Sequence, residues 1–185
     1  IGTVKAVTSN AGDPYWNEVV LLVGNDNKSD TSTSFVDQSR YHRTLTTVGS
    51  AQYDTAQAPT GMTSTALAGA TGDAVTAASS ADFGYGTGDF TIECYFRIGT
   101  DNIGGAGNYI FDQRGGGVVP GVYWQTDHLE YFSTGTTGIV GGTISTGIWY
   151  HLAITRSAGS TKMFINGVQS GSTSTDTDNY GISPL

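Results

Sequence analysis

The sequence predicts an all-β protein, a two-sheet antiparallel β-sandwich, and three observations carry that reading. Gly (27) far outnumbers Pro (4) in the 185 residues, as many short strands joined by positive-φ turns require. Thr is frequent in the apolar segments, where β-branched side chains suit a pleated surface. Strand-length apolar runs recur every 8 to 12 residues or so between turn signals, with no amphipathic helical pattern among them. Charged residues make up 13% and aromatic residues 11% of the chain, unlike a disordered chain with its high charge and few aromatics.

Residues 1–12 read as an arm or linker, and one domain is placed over 13–185. Residues 15–23 (YWNEVVLLV) predict the first strand, with four consecutive apolar positions implying burial on both faces. A polar loop over 24–34 follows, then short strands at 34–37 and 44–48. Pro59 and Gly61 exclude a long element between 52 and 72, and residues 74–77 predict a further strand. Residues 81–84 read as a single turn. The strongest strand is 90–98 (FTIECYFRI), whose alternation sends Phe90, Ile92, Cys94, Phe96 and Ile98 to the core and Thr91, Glu93, Tyr95 and Arg97 outward. Strands are then expected at 109–112, 122–125 and 128–132, with a triple-glycine turn at 115–117 and a Thr/Gly tract after the 122–132 hairpin. Residues 149–156 and 161–165 form the next pair. Asn166-Gly167 closes a tight hairpin, because a type I′ turn needs positive φ at both central residues, and 168–170 begins the return strand.

These late elements carry a resemblance. The segment 149–156 (WYHLAITR) followed by 162–168 (KMFINGV) resembles the hairpin of the laminin G-like, concanavalin A-like jelly-roll superfamily, and 88–93 (GDFTIE) and 72–75 (GDAV) resemble strands that precede it. The resemblance spans roughly 13–171, with its motifs in the family's order. Residues 15–23, 34–39 (SFVDQS) and 65–75 (TALAGATGDAV) are also similar to versions found in structural proteins of tailed bacteriophages. Family members continue past the Asn-Gly hairpin to an acidic closing segment that this sequence lacks before Leu185. The resemblance therefore implies a closing strand lying outside the chain, or one supplied by a partner through β-augmentation.

Composition narrows the partners. A net charge of −8 opposes nucleic acid and anionic lipid, which reward Lys and Arg clusters. No apolar stretch approaches the ~20 residues of a spanning helix. The single cysteine, Cys94, cannot form an internal disulfide and reads as a small buried hydrophobe.

Catalysis is not expected. Sandwich glycosidases of the superfamily carry paired carboxylates on one strand, whereas this strand offers Glu93 alone, with Tyr95 and Arg97 at the following outward positions. Glu93 is expected to make a structural hydrogen bond or to pair with Arg97 or Arg156. His42, His128 and His151 lie in separate elements, with His151 expected to hydrogen-bond beneath its sheet. No cofactor is expected; calcium is the ion that the oxygen-rich groups Asp26, Asn27, Asp30 and Asp176, Asp178, Asn179 could hold, although neither has EF-hand order. Asn27-Lys28-Ser29 matches a glycosylation acceptor, meaningful only in a secreted eukaryotic protein. Adjacent aromatic pairs place one ring on each sheet face, so Tyr123 and Tyr131 of the 122–132 hairpin are the candidate contacts for a glycan or protein. The resulting expectation is a non-catalytic virion structural, decoration or tail-associated protein on the virion surface, assembling with other virion proteins or its own copies. The alternative is an extracellular carbohydrate-binding module.

Overall fold

The computed structural model describes residues 14–24, 28–58, 63–67, 72–99, 108–113, 120–133 and 136–185. The chain forms two compact units, residues 1–78 and 79–185. The arm placed at 1–12 and the glycine turn at 115–117 lie outside the described residues.

In the first unit, β1 (Leu45–Val48) pairs antiparallel with β4 (Ala74–Ala77), and β2 (Gln52–Asp54) with β3 (Ser64–Ala66). The strand expected over 15–23 does not form. Residues Trp16–Glu18 make a 3-10 turn, and beyond it the described residues show one bridge, Val23 to Asp37. The reason lies in the partner, since the Leu22 amide is bound by the Asp37 carboxylate (3.0 Å) rather than by a strand backbone. Asp37 also accepts from the Ser39 amide (2.8 Å), the Ser39 hydroxyl (2.8 Å) and the Arg43 amide (2.9 Å), so one buried carboxylate organises three loop segments. The strand expected at 34–37 shrinks to its bridge at Asp37 for the same reason. Tyr53 of β2 is fully buried against Phe35, with ring centroids 4.5 Å apart. Strands β2 and β3 escaped the sequence reading because strands of three residues are too short to show a periodicity.

The second unit is the sandwich. One sheet runs β12–β11–β10–β5, with β13 also on β11; the other runs β6–β7–β8–β9. Their ranges are Phe90–Arg97 (β5), Asn108–Asp112 (β6), Gly121–Gln125 (β7), His128–Ser133 (β8), Thr136–Thr143 (β9), Trp149–Ser157 (β10), Ser160–Ile165 (β11), Val168–Gln169 (β12) and Ser174–Thr175 (β13). The inward residues of both sheets meet in one core: Phe96 and Ile98, Leu152 and Ile154, and Met163 from the first; Val122, Trp124, Leu129, Tyr131 and Ile139 from the second. Each fully buried aliphatic or aromatic side chain contributes roughly 1.5–3 kcal/mol by leaving water. Alternation along β5 follows the sequence reading, with Phe96 buried and Glu93 and Tyr95 outward. Asn166 (φ 49) and Gly167 (φ 79) make the expected turn.

Two sandwich features were not foreseen. Strand β9 forms from the Thr/Gly tract, whose Gly138 and Gly141 sit close against residues from other strands. A Cβ on Gly141 would lie 3.1 Å from the Met163 sulfur and 3.1 Å from the Leu129 carbonyl. Residues beyond β12 are also built in: β13 pairs with β11, and Tyr180 bridges to Gly86.

Candidate functional site

On β7 the backbone alternates, so Val122 and Trp124 enter the core while Tyr123 faces away from it. The same rule on β8 turns His128, Glu130 and Phe132 outward. Cross-strand register then lays Tyr109, Tyr123, Glu130 and Val140 in one row across β6 to β9. The rings form a cluster: Tyr109 to Tyr123 at 5.6 Å, Tyr123 to Phe132 at 5.5 Å, and Tyr109 to Phe132 at 6.0 Å, the last two edge-on. Such pairs hold one another at a preferred tilt. Gly121 is required beneath them, because a Cβ there would meet the Phe132 ring at 2.6 Å.

A polar relay borders the rings. The Tyr123 hydroxyl donates to Glu130 Oε2, and Glu130 Oε1 lies 3.2 Å from His128 Nε2, whose Nδ1 lies 2.8 Å from Asp127 Oδ1. The Asp127 hydrogen bond, more than the opposing desolvation, raises the His128 pKa above its ordinary value, with Glu130 adding to the rise. The carboxylate of Glu130 is thereby fixed beside the rings, with Val140 (53% exposed) flanking it. Chemically this is an aromatic cluster in which Tyr109 and Tyr123 are half-buried and Phe132 is buried behind them, bordered by an oriented acceptor.

Tyr131 does not join it. As an inward residue of β8 it is 1% exposed, and its hydroxyl is engaged by Tyr180 (2.8 Å) and Asp176 (3.1 Å). The two tyrosines chosen from sequence lie on opposite faces because the seven residues between them include a two-residue turn that resets the alternation. What placed Tyr123 on the outer face was its position beside core Trp124; the neighbours Tyr109, Phe132, Glu130 and His128 needed cross-strand register to be found.

Arg156 is the other correction. Expected as a partner of Glu93, it points inward and is buried. Its Nε donates to the Gly88 carbonyl (2.8 Å), one terminal nitrogen to the Asp178 carbonyl (2.9 Å) and Asp176 Oδ1 (3.3 Å), and the other to Gly86 (2.7 Å) and Gly88 (2.6 Å). The guanidinium lies over Tyr180 (4.5 Å) and Phe90 (5.0 Å). Asp176 further accepts from Thr161 (2.8 Å) and Tyr180 (2.7 Å). Burial pushes its carboxyl up, but the Tyr180 and Thr161 hydroxyls, the Asp178 amide and the Arg156 charge outweigh that and leave it below the ordinary carboxylate value. This carboxylate, one of the calcium candidates, is thus satisfied from within the fold. Asp178 takes the Ser133 hydroxyl (2.8 Å), and Asp30 the Thr55 amide (3.0 Å). Asp26 and Asn27, with the glycosylation pattern that begins at Asn27, lie outside the described residues.

Glu93 itself sits 3.5 Å from His151 Nε2 on the outer face of β5 and β10, with the Tyr95 ring 4.9 Å from the imidazole. His151 is therefore on top of its sheet, not beneath it. The Cys94 thiol is pushed up to about 12, first by burial and then by the Glu93 charge, as suits a packing residue rather than a nucleophile.

Residues 69–183 match the family model of the concanavalin A-like lectin/glucanases superfamily. The chain belongs to this superfamily. The match spans the whole sandwich and ends at Ser183, just past the Asp176–Tyr180 region that Arg156 secures. Solved structures share the superfamily fold at low identity. An HCR/D mutant superposes with a TM-score of 0.63 at 15% identity over 91% of this chain. The binding domain of botulinum neurotoxin DC, in complex with rat synaptotagmin II, gives 0.62 at 14% over 88%. The chain spans 42% of the length of each, so the likeness is one of fold. No curated protein matches the chain in sequence.

Proposed function

We propose that this superfamily member is a non-catalytic binding module that engages a glycan or protein surface through the outer face of its β6–β9 sheet. The observation that carries the reading is the Tyr109, Tyr123 and Phe132 cluster bordered by the Glu130 carboxylate. Aromatic rings supply large contact area with few rotatable bonds, and an acceptor already held in place loses little entropy on binding. Tyr123 is the central contact; Tyr131 serves the core instead. The non-catalytic reading is supported by Glu93, whose strand carries no second carboxylate and whose near neighbour is His151.

The setting we favour is a virion surface, as a decoration or tail-associated component, supported by the similarity of residues 15–23, 34–39 and 65–75 to phage structural proteins. The alternative, an extracellular carbohydrate-binding module, draws support from the lectins of the superfamily. That a neurotoxin binding domain of this fold is seen with a protein, synaptotagmin II, supports counting protein receptors among the partners. A glycan array and host-cell adsorption assay of the wild type against Tyr123→Ala tests the reading. Binding lost with the ring supports it, and binding untouched by the substitution refutes it. Calcium is not required in this reading, so a chelator leaves binding unchanged.

A further inference from the structure

The strands that bound the two sheets differ in regularity. The pairing of β6 slips between Tyr109 and Phe111, and that of β9 slips twice along β8; such bulges spoil an edge as a template for another strand. Strand β5 has no such guard. It holds unbroken register with β10 from Phe90 to Arg97, contains neither Pro nor Gly, and among the described residues pairs with β10 alone.

Which backbone groups face the open edge follows from two hydrogen bonds. The Ile98 carbonyl accepts from Gly147 on the β10 side. His151, opposite Tyr95, directs its carbonyl to the Asn166 amide (2.9 Å) and its own amide to the Asn166 side chain (2.8 Å), away from β5. Alternation then aims the N–H and C=O groups of Thr91, Glu93, Tyr95 and Arg97 at the open edge. Above them, Tyr95 is 46% exposed.

We propose that this edge pairs antiparallel with the same edge of a second copy, about a two-fold axis at Tyr95. Charge selects the occupant and the register. Centred on Tyr95, the pairing sets Glu93 opposite Arg97 twice, a self-complementary arrangement as a two-fold requires. Centring on Glu93 or on Arg97 sets like charges face to face, and centring between Glu93 and Tyr95 forms no ion pair. In the chosen register Cys94 lies opposite Phe96 and Ile92 opposite Ile98, so the apolar inner faces of the two copies become continuous.

The register makes a geometric prediction. Tyr95 meets its own copy as a hydrogen-bonded pair, with Cα atoms ~5.5 Å apart, inside the roughly 4.4–6.8 Å that a disulfide spans. In a Cys94→Ser background, Tyr95→Cys is expected to cross-link into a covalent dimer under mild oxidation, whereas Thr91→Cys, set opposite Gly99, is expected to cross-link at least about tenfold less. Light scattering of the wild type should give twice the chain mass. Glu93→Arg should yield the single-chain mass, and adding Arg97→Glu should restore the dimer. Tyr95→Pro, which removes an N–H that β10 does not use, should give a folded monomer by circular dichroism. A wild-type monomer, equal cross-linking at 91 and 95, or a dimer that survives Tyr95→Pro overturns the proposal.

Discussion

Arg156 offers the sharpest test of how the sandwich holds together. Replacing it with Met keeps the length and apolar character of the side chain but removes every donor. Five hydrogen bonds to Gly86, Gly88, Asp176 and Asp178 disappear, and Asp176 remains buried without its cation. Removing one member of a buried pair costs about 3–5 kcal/mol, a large share of the roughly 5–15 kcal/mol that stabilises an ordinary domain. The expected loss lies within that range because Asp176 keeps its Tyr131, Tyr180 and Thr161 hydroxyls. Guanidinium denaturation followed by tryptophan fluorescence should show a lower midpoint at unchanged slope, since Trp124 and Trp149 both lie in the sandwich. Asp176→Asn should cost a comparable amount, and the double variant clearly less than the sum, because each single change strands the other charge. A loss below about 1 kcal/mol for Arg156→Met would refute the reasoning, as it would mean that water replaces the guanidinium freely.

Other outcomes follow from the same structure. The Asp176 carboxyl has a folded pKa below its ordinary 3.8, so its stabilisation is full above that value and lost as pH falls through the lower folded value; Asp176→Asn should flatten this acid decline in a pH-resolved melting series. For His128 the sign reverses. Its folded pKa is raised above 6.5, so its contribution is complete below that pH and fades as pH climbs through the folded value, which an NMR titration should place above that of an unfolded-state reference. Tyr123→Ala should weaken binding while leaving stability nearly intact, whereas Tyr131→Phe should cost about 1–2 kcal/mol of stability and spare binding. Asn166→Ala, forced to hold φ 49 and deprived of the bond to the His151 amide, should lower stability by about 1–2 kcal/mol, measured as a drop in Tm.

The fold class was legible because burial imposes a period. In β5, β7 and β8, and in β10 and β11 apart from Arg156 and Thr161, the inward residues are apolar at every second position, and the Asn166-Gly167 turn declares its own dihedrals. Where sheet pairing rests on small residues, the pattern vanishes: in β9 Gly141 packs closely against the Met163 sulfur and the Leu129 carbonyl, neighbours distant along the chain. The 15–23 segment failed in the opposite sense, since its apolar run looked like a strand while the Leu22 amide goes to a carboxylate fifteen residues away and the Val20 carbonyl to the Arg43 side chain.

By itself, the sequence determined which residues could line a core and which family hairpin they build, since both depend on near neighbours along the chain. It also placed Tyr123 outward beside Trp124. The tertiary structure alone decided that Tyr131 and Arg156 belong to a buried polar network, that Glu93 sits against His151, and that Tyr109, Phe132, Glu130 and His128 gather around Tyr123. Those assignments depend on strand register and on which face of the sandwich a residue meets, and both are fixed by pairing between segments far apart in sequence.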